Sequence, residues 1–200
     1  MSVPEYTADI ERNEPVLSGL LQPPAFRVFR FPYLQEGETA EKRDAVRSYL
    51  QQKRYRTAEV TVDFEDWAWN GPYVRCATAK DSAAVGQLAA LYIKMAVREL
   101  KVAERLSARL FKRQVKHILL LHIGAFDAYM MDRLLAAYER QGVTFISLTE
   151  AMADPVYRTD SHYLSPIGRP LLRQLVRAGK PEPPNAEDPP HRKILAAMCS

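Results

Sequence analysis

Cysteine is scarce in this chain: Cys76 and Cys199 are the only two among 200 residues. They stand far apart and without ligand spacing, so neither a disulfide framework nor a cysteine metal site is implied, and the compartment stays undecided. Long apolar runs are lacking too. No uninterrupted stretch approaches the length of a membrane span, and the opening Met1-Ser-Val-Pro-Glu-Tyr6 has no basic segment leading into an apolar one, the mark of an export signal. There is no internal repeat. One sign of charge barely prevails, with 28 Lys and Arg against 24 Asp and Glu. The two signs are interleaved along helix-like stretches, which makes them solvated helix faces rather than a nucleic-acid surface. Lys112-Arg113 and Arg54-Tyr55-Arg56 are short and belong to no recognisable nucleic-acid module. What remains, 47% apolar and 26% charged, is the composition of a globular chain large enough for one domain with a sizeable core.

Periodicity predicts an alternation of strands and helices. Helical spacing at Tyr6, Ile10, Leu17 and Leu21 marks a helix over residues 5–21, with Pro15 expected to kink or restart it. Strands are predicted over 26–31, 57–62, 117–122 and 143–147. Helices are predicted over 38–52, 82–110 and 126–140, the last capped by Gly142. The stripe Leu88, Tyr92, Ala96, Leu100, Ala103 and Leu110 gives the long helix one apolar face. This order implies an α/β architecture of about four parallel strands with outer helices, a partial (β/α) barrel because four strands are too few to close one. One domain is expected over 1–158. Residues 159–200, rich in proline, are expected to be a weakly ordered extension with a helix at 170–177.

Three clusters carry chemistry, each at the end of a predicted strand. In Phe29-Arg-Phe-Pro-Tyr33 the proline fixes the backbone, so that the Tyr33 N–H can serve an oxyanion while Arg30 forks onto a carboxylate. An edge strand with a surface arginine explains the same residues. Asp63-Phe-Glu-Asp-Trp-Ala-Trp-Asn70 sets three acids beside two indoles, suited to gripping a sugar or simply to core packing. In the third cluster, residues 118–126, His122 ends an apolar strand before a Gly-Ala turn and can act as a general acid; a satisfied core histidine is the competing reading. His117, five residues earlier, falls on the opposite strand face, so the two imidazoles are not a metal pair.

Taken in order, the Arg-x-Pro-Tyr turn, the Asp66-Trp67 pair, Leu120-Leu-His122 followed by Ala-Phe, and Gly142-Val-Thr-Phe-Ile-Ser-Leu148 with Glu150-Ala-Met resemble the later motifs of polysaccharide deacetylases of the NodB-homology type. The resemblance covers roughly residues 4–158. It implies a hydrolase of carbon–nitrogen amide bonds that removes N-acetyl groups from a polysaccharide or oligosaccharide. In that family a divalent metal, usually zinc, is held by an aspartate and two histidines, and a second aspartate is the base. Carried over, Arg30 orients the base, Tyr33 gives the backbone donor, Asp66 tunes the histidine, His122 is the acid, and Trp67 and Leu120 line the acetyl or sugar pocket. Asp63 is the less close match for Asp66. The metal-binding motifs are absent, so the resemblance implies a truncated member with an open barrel edge prone to self-association. Deacetylation is hard to assign to this polypeptide alone. The alternative is a metal-free carbohydrate-binding pseudoenzyme that stacks sugars on Trp67, Trp69 and Tyr33.

Overall fold

A computed structural model describes residues 1–21, 27–164, 166–178 and 190–200. Eight α-helices are described: α1 Val3–Leu20, α2 Ala40–Gln52, α3 Asn70–Thr78, α4 Ser82–Phe111, α5 Ala125–Glu139, α6 Leu148–Ala151, α7 Leu171–Arg177 and α8 Pro190–Ala197. The described strands are only β1 Val28–Phe29 and β2 Arg56–Thr57. The chain divides into two compact units, Met1–Glu59 with Met152–Pro181, and Val60–Ala151 with Glu182–Ser200.

In the first unit, α1 starts where Ser2 and Glu5 satisfy each other's amides: the Ser2 N–H donates to Glu5 Oε2 at 2.7 Å, and Ser2 Oγ accepts from the Glu5 N–H. The helix runs on through Pro15. Its Val3, Tyr6 and Ile10 pack on a core of Phe31, Val46, Leu50 and Tyr55, and Thr39 caps α2 by accepting from the Lys42 N–H. Strands β1 and β2 pair in parallel, Val28 with Arg56 and Phe29 with Thr57. Helix α7 buries Leu171, Leu172 and Gln174.

In the second unit, α4 buries Leu88, Tyr92, Ala96, Leu100 and Ala103 of the stripe read from the sequence, together with Ala89, Met95 and Ser107, while Leu110 is only half-buried. Tyr92 is the hub of an edge-to-face aromatic core, with Phe64, Trp69 and Phe126 ring centroids 4.9, 5.5 and 5.3 Å away. Beside it residues 60–62 and 118–120 run in parallel. The Val62 N–H donates to the Ile118 carbonyl at 3.1 Å and the Leu120 N–H to the Val62 carbonyl at 3.0 Å, a single bridge rather than a ladder.

The four-stranded partial barrel is therefore corrected to a mostly helical chain with one two-strand parallel sheet. Of the predicted strands, 26–31 keeps two paired residues, with residue 26 outside the described ones. Residues 57–62 and 117–122 keep little beyond the Val62–Leu119 bridge, and 143–147 forms no strand. The physical reason is that a helix closes its hydrogen bonds within its own segment, whereas a strand needs a neighbour along its length. Residues 143–147 have the β-branched and aromatic composition but leave Phe145 and Ile146 exposed. Between the predicted strand at 57–62 and the long helix, the chain forms a 3₁₀ turn, Asp66–Trp69, running into α3. No helix among the described residues is long and apolar enough to cross a membrane.

Candidate functional site

The chemistry-bearing residues of the second unit gather at the turn that ends residues 60–65. Asp63 Oδ1 accepts from the Glu65 N–H at 2.8 Å, and Glu65 takes a left-handed conformation with φ 60°. This bend turns Asp66 fully inward, at 0% exposure, and leaves Trp67 half exposed at the surface. Trp69 is buried against Tyr92 and so is not available as a sugar platform.

His122 meets Asp66 at both ends. Its backbone N–H donates to Asp66 Oδ2, and its Nδ1 lies 2.8 Å from Asp66 Oδ1. A carboxylate can only accept, so Nδ1 carries the hydrogen and Nε2 points away from the acid. The His122 side chain is 46% exposed while that of Asp66 is 0% exposed. The carboxylate thus fixes the tautomer and the ring orientation, and Nε2 is the nitrogen left to face a substrate. Asp63, the other candidate, does not bond the histidine; burial raises its carboxyl pKa.

Behind the pair, the first turn of α5 supplies Asp127, a residue that sequence reasoning passed over. It is buried and accepts a 2.7 Å bond from the Tyr92 hydroxyl. Burial drives its pKa up against that bond, and burial followed by the Asp127 charge pushes the Tyr92 hydroxyl up as well. Asn70 Oδ1 accepts from the Phe126 N–H at 3.2 Å. Gly124 lies in the crease between them: a β-carbon there would stand 2.7 Å from Asp127 Oδ2 and 3.4 Å from Asn70 Oδ1. The glycine thus lets the segment after His122 press onto α5. Leu120 is half-buried, and its N–H donates to the Val62 carbonyl. It does not line the cavity of about 290 Å³ in this unit, which is walled by Val62, Leu119, Tyr138, Phe145 and their neighbours. His117 is half-buried, with Nδ1 3.2 Å from Thr61 Oγ1.

Arg30 and Tyr33 belong to the first unit. Arg30 is half-buried, and desolvation lowers its pKa while the Glu59 carboxylate opposes that fall. Glu59 is pushed up to about 7 by burial, with the neighbouring Glu36 adding to the shift and Arg47 opposing it. Around them Arg43 stands 3.2 Å from Glu36 and also bonds Asp160, and Arg47 forks onto Glu36. Arg30 therefore faces a carboxylate of its own unit. Tyr33 has its ring exposed and its backbone left-handed, at φ 56°, followed by Leu34 at φ 55°. Its N–H has no hydrogen-bond partner among the described residues. Gly168 makes this turn possible, since a β-carbon there would fall 1.8 Å from the Tyr33 carbonyl oxygen.

Among the described residues, no three His, Cys, Asp or Glu side chains group so as to hold a metal ion. The resemblance draws its zinc ligands from motifs that this sequence lacks and gives Asp66 and His122, which bond each other, other roles, so no residue here is assigned to a zinc ion. The cysteines, read as unconnected, form a disulfide, Cys76–Cys199, 123 residues apart in sequence. That separation leaves no local spacing to detect. The chain was compared with protein-family models, with curated proteins and with solved structures, and none of the three comparisons produced a match.

Proposed function

We propose that the second unit carries the proton-donating half of an amide-hydrolysing site, acting on the N-acetyl groups of a polysaccharide or oligosaccharide. The single observation behind this reading is the Asp66–His122 pair: a fully buried carboxylate bonded to both the backbone and the Nδ1 of a half-exposed imidazole. Cleaving an amide requires a proton on the departing amine, and an imidazolium whose Nε2 faces outward supplies it at neutral pH. Asp66 holds the ring and offsets the imidazolium charge. Trp67 offers an apolar face for a sugar ring. No metal step is assigned to these residues.

The test is acetate release from N-acetylglucosamine oligomers. The chain is expected to release acetate, His122→Ala to lose about 10² to 10⁴ of the rate, and Asp66→Asn to fall in the same direction. Release unchanged in His122→Ala, or none from the unaltered chain, overturns the reading. The second reading, a sugar-binding protein without catalysis, is favoured by the half-exposed Trp67. Binding of the same oligomers that is lost in Trp67→Ala, with no acetate released, would select it.

A further inference from the structure

The C-terminal helix contributes nothing to the chemistry above, yet its contacts converge on the turn that carries Asp66. Helix α8 is fixed at both ends. At its C-terminal end, Arg75 of α3 donates through Nη2 to the Leu195 carbonyl at 2.9 Å and the Met198 carbonyl at 3.0 Å, satisfying carbonyls that the helix leaves open. The adjacent Cys76, wholly buried, is bonded to Cys199. At the other end His191 is buried, with its ring stacked on Trp69 at 5.8 Å and 10° and its Nε2 3.2 Å from Glu65 Oε2. Arg192 forks onto the same carboxylate, Nε to Oε2 at 2.9 Å and Nη2 to Oε1 at 2.6 Å. Its guanidinium also lies 5.0 Å from the centroid of the Trp67 ring.

Glu65 is the residue before Asp66, and its left-handed backbone is one that a glutamate leaves readily unless it is held. Burial alone would raise its carboxyl pKa, but the imidazole of His191 beside it and the bonds from Arg192 keep it below the usual carboxylate range. Two side chains from α8 thus hold the residue whose bend buries Asp66, His191 lying against Trp69 and Arg192 against one side of the half-exposed Trp67.

We propose that His191 and Arg192 are positioning residues of the Asp66–His122 pair, delivered by α8 and held there by the Cys76–Cys199 disulfide, so that the geometry of the pair depends on the oxidised bond. A small dithiol opens the latch. The protein S–S bond breaks, two S–H bonds form, and the dithiol gives up two protons and two electrons as it closes to its own disulfide. Cys199 is half-buried and is the sulfur such a reagent reaches. The proposal takes from the preceding section only that Asp66 and His122 act as a pair.

The chain's two tryptophans are its reporters, since both touch α8 residues. Full-length protein is compared oxidised, reduced with dithiothreitol, and as Cys199→Ser, Arg192→Ala and Arg192→Lys, by tryptophan emission and by the NMR titration of the His122 imidazole. Reduction and Cys199→Ser should both red-shift the emission and move the His122 titration midpoint. Arg192→Ala, with the disulfide intact, should move the same midpoint, and Arg192→Lys should recover part of the shift. Emission and titration superimposable between oxidised and reduced protein overturn the proposal. So does a folded Arg192→Ala protein with an unmoved His122 titration, an outcome that stays informative even if reduction unfolds the chain. Failure of the deacetylase reading looks different: no acetate release in either redox state, with the spectroscopic differences intact.

Discussion

Opening the disulfide should cost the second unit most of the stability that a long covalent loop confers. The bond spans 123 residues. A loop of that length removes about 16 cal/mol/K of chain entropy from the unfolded state, or about 5 kcal/mol at 25 °C. About 30 of the enclosed residues belong to the first unit. Treating them as a rigid link changes the figure by only about 0.3 kcal/mol, because the cost grows with the logarithm of length. Urea unfolding followed by tryptophan emission reads the second unit alone, since Trp67 and Trp69 both lie in it. With a slope of about 2 kcal/mol/M, the reduced protein should unfold about 2.5 M earlier than the oxidised one. Cys199→Ser should match it and stop responding to dithiothreitol. Equal midpoints for oxidised and reduced protein would refute the reasoning, because they would mean that α8 is held by its non-covalent contacts alone or that no bond forms.

Gly124→Ala should lower the urea midpoint of the same transition by the equivalent of about 1 to 3 kcal/mol, because the new β-carbon meets Asp127 Oδ2 at 2.7 Å and a buried, bonded carboxylate must give way; an unchanged midpoint contradicts the close packing. In the first unit, Glu59 is pushed up to about 7 by burial from an ordinary 4.5. The folded state therefore binds more protons than the unfolded one between those values, so the contribution of Glu59 to stability falls as pH rises through the window and levels off above it. The stability of wild type minus that of Glu59→Gln, from circular dichroism melts at pH 5 and pH 8, should be smaller at pH 8; parallel curves would contradict this.

Where structure is made locally, the sequence discloses it. Ser2 and Glu5 announce the start of α1, and the Leu88 to Ala103 stripe is the buried face of α4. Gly142, expected to cap α5, sits past its end at φ 82°. Strand character misleads because it records a fitness for pairing without naming a partner: residues 143–147 have it and pair with nothing among the described residues. The site divides in the same way. Asp66 and His122 each end a readable apolar segment, and they meet. Asp127, His191, Arg192 and the cysteine bond come from positions up to 127 residues from their partners, with no spacing to link them. The resemblance to polysaccharide deacetylases rests on short motifs, and these lie in a mostly helical chain, so the barrel that they led one to expect does not follow from them.

The central claim is that His122, held by Asp66, protonates a departing amine, and leaving-group dependence tests it most directly. A proton donor matters for a basic amine and little for a leaving group that departs as a stable anion. His122→Ala should therefore lose about 10² to 10⁴ of its rate on N-acetylglucosamine oligomers while keeping most of its rate on p-nitrophenyl acetate. Equal losses on both substrates, or no loss on either, would contradict the account.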